Sequence, residues 1–180
     1  KVKYEDKTFI ENNFAFADSN VFEMLDVELI HGNQQTALQE LNAIVLSNQV
    51  AEKYFGNPEE ALEQTLTVMG ESFLVRGIMK DYPKTSTVYF DALLPYKNIE
   101  NRFEWLQNWS SNSIDTYVQL APDAVREELE AKFPAFIEQY ISEHWSSGSM
   151  EMYLQPMEEI HLKSGHIKFQ TYNHHQGDIQ

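Results

Sequence analysis

The chain of 180 residues has no cysteine, seven glycines, and 13 Lys and Arg set against 28 Asp and Glu. Without thiols there is no disulfide framework, no thiolate nucleophile and no thiolate metal site. Glycine is so sparse that no Gly-x-Gly or Walker pattern occurs, which removes the loops that cradle phosphates. A formal net charge of −15 with no Lys/Arg cluster excludes the counterion-releasing contacts that nucleic-acid binding requires. Neither a basic-then-apolar signal segment nor an apolar run approaching the ~20 residues of a membrane span is found. The chemistry of a catalytic site is equally thin, and no catalytic, cofactor-binding or metal-binding residue is assigned.

What is present is core-forming material. Hydrophobic residues make up 42% of the chain and include eleven Phe and nine Tyr, enough to build a core without staples. The best-ordered text runs over 44–83. The apolar run Ile44-Val45-Leu46 reads as a buried strand, and Ser47 is placed to cap a helix over 48–55 whose Val50, Ala51, Tyr54 and Phe55 share one face. Gly56 stands at its C-cap and Pro58 opens a further helical turn. Alternating strands over 65–68 and 73–79 are joined as a hairpin across Met69-Gly70-Glu71-Ser72, and Asp81-Tyr82-Pro83 turns the chain.

Upstream, short strands are expected at 2–4 and 8–17, a helix capped by Asp18-Ser19-Asn20 at 21–25, and a strand at 27–30 meeting a turn at His31-Gly32-Asn33. A further strand at 88–95 stops at its proline. Phe103, Trp105, Leu106 and Trp109 read as a helix docked on the core. Strands are expected at 116–120 and 150–155, with a long helix over 124–145 between them that Pro134 kinks, and a short edge segment at Ile160-His161-Leu162. Strand, helix and strand recur at 14–30 and 116–154, so the expected fold is α+β, a split βαβ layer with 44–95 inserted as a separate small sheet.

The reactive residue types have structural readings. The acid pairs Glu59-Glu60, Glu127-Glu128 and Glu158-Glu159 are sequence neighbours, which do not face one another on a helix, so they read as solvated faces. Of His31, His144, His161, His166, His174 and His175, only Glu158/His161 and His174-His175 with Asp178 approach a ligand spacing, and no His-x3-His supports a zinc site. Ser47, Ser72, Ser86 and the serines of 110–113 lack a Gly-x-Ser-x-Gly elbow. Gly56, Gly70 and Gly77 read as cap, turn and strand glycines. Trp105, Trp109 and Trp145 read as core packing rather than as a sugar or peptide groove. Asn108-Trp109-Ser110 fits a glycosylation sequon, a motif too short to weigh in isolation.

Taken in order, Phe22-Glu23-Met24-Leu25-Asp26-Val27, Leu29-Ile30-His31-Gly32-Asn33, Ala37-Leu38, Ile44 to Ser47, Ala51-Glu52-Lys53-Tyr54-Phe55-Gly56, Val75 to Pro83 and Leu154 to Leu162 resemble the MacB-like periplasmic core domain of FtsX-like ABC transporter permeases. The resemblance implies a Porter-like lobe from 1–41 with 114–180 and an inserted Sabre-like lobe at 42–113. It implies a non-catalytic periplasmic domain of a bacterial inner-membrane permease, set between its first and second membrane helices and relaying their ATP-driven movement. The implied partners are those flanking helices, a cytoplasmic ATPase subunit or domain, and an envelope protein or exported peptide or lipoprotein substrate. Homodimers are expected only in the full-length membrane protein. An extracytoplasmic sensor with a ligand cleft between lobes is the alternative.

Overall fold

The computed structural model describes residues 1–83, 86, 88–109, 113–144 and 150–163, with side chains described up to 160. The chain divides into two compact units, the first Lys1–Arg102 and the second beginning at Phe103.

The first unit is built on one mixed sheet of eight strands: β1 (Val2–Tyr4), β2 (Lys7–Phe9), β3 (Phe14–Ala17), β4 (Leu29–Gly32), β5 (Ala43–Ser47), β6 (Thr65–Val68), β7 (Glu71–Met79) and β8 (Ala92–Pro95). Their order is β2-β1-β6-β7-β5-β8-β3. β7 is the longest, and its two ends pair with different strands, β6 over 71–74 and β4 over 77–79. β5 lies parallel to it along 74–79, and β3 lies parallel to β8. At the Lys1 end, the Met69 N–H extends the β1–β6 ladder to the Lys1 carbonyl at 3.2 Å.

Alternation along the central strands sorts side chains to two faces. Ile44, Leu46, Ala92 and Leu94 join Phe73, Val75 and Ile78 under helix α2 (Asn48–Phe55), while Val45, Leu93 and Met79 pack with helix α1 (Val21–Met24), Ala37 and Leu38. With both faces covered, all five residues of β5 and all four of β8 are buried, which is why these strands read as unbroken apolar runs. Strict alternation would place Val75 and Ile78 on opposite faces. The register shift between Ile44↔Val75 and Val45↔Gly77 leaves Arg76 as an extra residue, and this bulge returns Ile78 to the face of Val75.

Local signals explain the elements the sequence announced. The Ser47 hydroxyl accepts from the Val50 N–H at 3.2 Å, and Gly56, at φ +84°, donates its N–H to the Glu52 carbonyl at 2.8 Å. Met69 and Gly70 both have positive φ, the two-residue turn whose twist suits a tight hairpin.

Several expectations are corrected. The 44–95 block does not form its own sheet: β1–β4 and β5–β8 are hydrogen-bonded in one, because β7 offers edges to strands from both segments. The expected strand at 88–95 contributes only Ala92–Pro95, and Phe103 to Trp109 yields a 3₁₀ turn at Glu104–Gln107 in place of a helix.

In the second unit the expected long helix is two short ones, α3 (Arg126–Glu130) and α4 (Phe133–Tyr140), with Pro134 in the first turn of α4, where its missing N–H costs nothing. No strand forms at 116–120 or 150–155, and no βαβ unit joins them, among the described residues. Pro156 begins a turn instead of ending a strand: its carbonyl accepts from the Glu159 N–H at 2.9 Å, and α5 (Met157–Lys163) replaces the expected edge segment. Residues 84, 85, 87, 110–112, 145–149 and 164–180, among them Trp145, Ser110, His166, His174, His175 and Asp178, lie outside the described residues.

Candidate functional site

The polar residues drawn together by the first unit bind its elements to one another. At the β2 edge, the Glu11 carboxylate, largely buried, accepts from Lys53 Nζ at 2.7 Å and from the Tyr54 hydroxyl at 2.8 Å. The Lys53 ammonium sits 4.3 Å from the centroid of the Phe9 ring, which meets Tyr54 edge-on at 5.4 Å. Lys7 Nζ donates to the Tyr54 carbonyl at 2.6 Å, placing a cation on the last turn of α2. Burial and the Glu11 carboxylate push the Tyr54 phenol far above its ordinary value. The knot fastens an edge hairpin to α2, and both donors converge on one Glu11 oxygen.

A second polar group joins β3 to β8. Asn13 Nδ2 donates to Asp91 Oδ2 at 2.9 Å, while the Asp91 N–H donates to the Asn13 carbonyl at 2.9 Å. Burial raises the Asp91 pKa, with Glu11 and Asp81 adding to the effect and Asn13 and Lys53 opposing it. Asp81 caps α2 from outside, its Oδ1 accepting from the Gln49 N–H at 2.9 Å. Arg76 holds Glu63 at 2.9 Å and Glu40 at 2.8 Å, an exposed pairing of the kind that contributes little. The Tyr82 hydroxyl is buried without a hydrogen-bond partner, and burial lifts its pKa to about 12.

The acidic, histidine and serine side chains are dispersed among the described residues. Each acid pair occupies the first turn of a helix, Glu59-Glu60 in the 3₁₀ turn Pro58–Ala61, Glu127-Glu128 in α3 and Glu158-Glu159 in α5, where negative charge meets the positive end of the backbone dipole. His31 approaches Glu59 at 3.9 Å. Among the described residues, no three His, Asp or Glu side chains converge as metal ligands. No helix among them is long and apolar enough to cross a membrane. Ser47 is a helix cap and Ser72 lies in β7. In the second unit, Trp109 contacts Phe136 at 5.4 Å and Tyr140 at 5.8 Å, and both Trp105 and Trp109 are exposed instead of forming the core the sequence suggested.

No local pattern announces the Glu11–Lys53–Tyr54 knot or the Asn13–Asp91 pair, because their partners stand 42 to 78 residues apart. A concavity with the size of a ligand site is present among the described residues. About 350 Å³ opens at the carboxyl ends of the parallel strands β3 and β8, lined by Asp18, Ser19, Asn20, Leu38, Tyr96 and Lys97 among others.

The architecture has solved counterparts. A domain assigned to a permease of Porphyromonas gingivalis superposes with a TM-score of 0.63 at 24% identity, covering 79% of this chain and 66% of that one. The periplasmic region of MacB from Actinobacillus actinomycetemcomitans superposes with a TM-score of 0.54 at 15% identity, covering 77% of this chain and 61% of that one. The chain thus spans under two thirds of the length of either structure. No curated protein matches it. The family model for the MacB-like periplasmic core domain matches residues 2–136, three quarters of the sequence. The chain belongs to the family of MacB-like periplasmic core domains.

Proposed function

We propose that the chain is a non-catalytic periplasmic domain of an ABC-type permease that passes ATP-driven movement of membrane helices to an envelope partner or an exported peptide or lipoprotein. The observation carrying this reading is the doubly covered sheet of the first unit in a chain of this family. Its central strands are buried on both faces, its edge is tied by the Glu11 knot, and a body of that kind moves as one piece. The flanking membrane helices and a cytoplasmic ATPase supply the movement, and homodimers form through the full-length protein. We place the lobe boundary at 102/103 instead of at 41/42 and 113/114, because the sheet runs uninterrupted across 41/42.

With no cysteine in residues 1–180, paired labels test this once any cysteine elsewhere in the permease is replaced. Spin labels at Gln35→Cys and Glu52→Cys, both exposed and on opposite sides of the sheet, report the internal dimension of the first unit in the full-length permease. A rigid relay keeps that distance constant through the ATP cycle, and a change above about 5 Å on ATP binding sinks it. The alternative, a sensor using the concavity beside Tyr96 and Lys97, would instead shift the distance or raise the melting temperature on addition of a small ligand without ATP.

A further inference from the structure

Asp18, Ser19 and Asn20 are of the residue types that cap helices and stand directly before α1, yet none of their side chains caps it. Asn20 occupies the N-cap at φ −81° and ψ 0°, a helical conformation where a capping residue is extended. The first-turn N–H groups are taken by backbone instead: that of Val21 by the Asp18 carbonyl at 3.0 Å, those of Glu23 and Met24 by the Asn20 carbonyl at 3.1 and 2.9 Å. A carboxylate, a hydroxyl and an amide are thus left uncommitted, and all three line the concavity at the carboxyl ends of β3 and β8. Lys97, in the turn Tyr96–Asn98 that follows β8, lines the same space. Neither Asp18 nor Lys97 has an ion-pair partner among the described residues, although 28 acidic side chains compete for 13 basic ones along the chain. Ala17 and the buried Leu38 and Pro95 supply an apolar side.

We infer that this concavity binds a small zwitterion, a free α-amino acid with an aliphatic side chain. Its carboxylate pairs with the Lys97 ammonium, its ammonium with the Asp18 carboxylate, and its side chain lies against Leu38 and Pro95. A ligand of one charge would be attracted by one of these groups and repelled by the other, whereas a zwitterion satisfies both. Ser19 and Asn20 provide hydrogen bonds for the donors and acceptors that remain. No third charged side chain lines the space among the described residues, so nothing there favours a charged ligand side chain. A volume of about 350 Å³ lies near the small end of ligand sites and suits a molecule of this size. The inference rests on reading the concavity as a ligand site and adds the ligand's class; it holds whether or not the first unit relays movement.

Titration calorimetry of the 180-residue chain with L-leucine tests it. Saturable binding with a Kd of ~1 mM or tighter is expected, weakened at least ~10-fold in leucinamide, which lacks the carboxylate, and in N-acetyl-leucine, which lacks the ammonium. Lys97→Met and Asp18→Asn, both at exposed positions and the second keeping the carbonyl that accepts from Val21, should each weaken leucine binding by a similar factor. An unchanged melting temperature of each variant without ligand shows that it folds. Leucinamide or N-acetyl-leucine binding as tightly as leucine overturns the zwitterion while leaving the concavity a ligand site. Leucine binding that both variants keep places the ligand elsewhere and overturns the inference. So does the absence of saturable heat up to about 10 mM of all three compounds, which removes the ligand-site reading as well.

Discussion

At Gly32, φ is +95°, and a Cβ added there would stand 2.5 Å from the Arg76 carbonyl oxygen and 2.8 Å from Gly77 Cα, both backbone atoms that cannot step aside. Gly56 shares the positive φ but has open space around it. Gly32→Ala should therefore lose roughly 2–4 kcal/mol in urea denaturation and Gly56→Ala only about 1. Equal losses would show that backbone conformation, not the approach of β4 to β7, sets the requirement. Asp91 makes a prediction of opposite sign. Its folded pKa is raised above the unfolded value, so the neutral form is favoured in the fold. The associated stability is full below the unfolded pKa and is lost as pH rises through the folded one. Asp91→Asn, which keeps an oxygen to accept from Asn13, should raise the melting temperature by a few degrees at pH 7, with the gain vanishing in acid. A gain independent of pH would assign the effect to something other than charge. Ser47 and Gly56 could be recognised from sequence because a cap acts within four residues. Asp91 and Glu11 could not, because nothing local marks a carboxylate whose partner lies on another element.

The β6–β7 hairpin carries its own weakness. Met69 occupies a left-handed position, φ 54°, where a flexible apolar side chain gains nothing and stands 63% exposed. Met69→Asn supplies the residue such a two-residue turn favours and should add ~0.5–1 kcal/mol, measured as a higher denaturation midpoint at unchanged slope. A loss instead would mean that Met69 makes a contact worth more than the turn. β5, α2 and this hairpin were readable because each has local punctuation: an apolar run, a cap at either end, a turn glycine. The runs 116–120 and 150–155 had the pattern without the outcome. A strand is a property of a pair, and neither run is paired as a strand among the described residues. Pro134 misled differently. Placed inside a continuous apolar periodicity, it looked like a kink, whereas it sits at the start of α4 after a break at 131–132.

For the molecule as a whole, the apolar burial is unevenly shared. Both large core clusters belong to the first unit, and among the described residues of the second only Ile141 is buried. Calorimetry of the 1–180 polypeptide should then show two transitions, the second unit unfolding first, with a calorimetric enthalpy exceeding the van't Hoff value. One transition with equal enthalpies would join the units energetically. The α+β class was legible from the order of elements, but the merging of β1–β4 with β5–β8 was not, since the pairing of β4 and β6 along one strand is set by the length of β7 and by bulges that leave no periodic trace. The short β1 ladder has a mechanical consequence. Its cross-strand bonds to β2 and β6 run perpendicular to the strands, with the Lys1 carbonyl at one end. A pull on Lys1 along β1 loads those bonds in shear, all at once, whereas a pull across the sheet unzips them in turn. The unit should thus have a hard direction along its strands and a soft one across them.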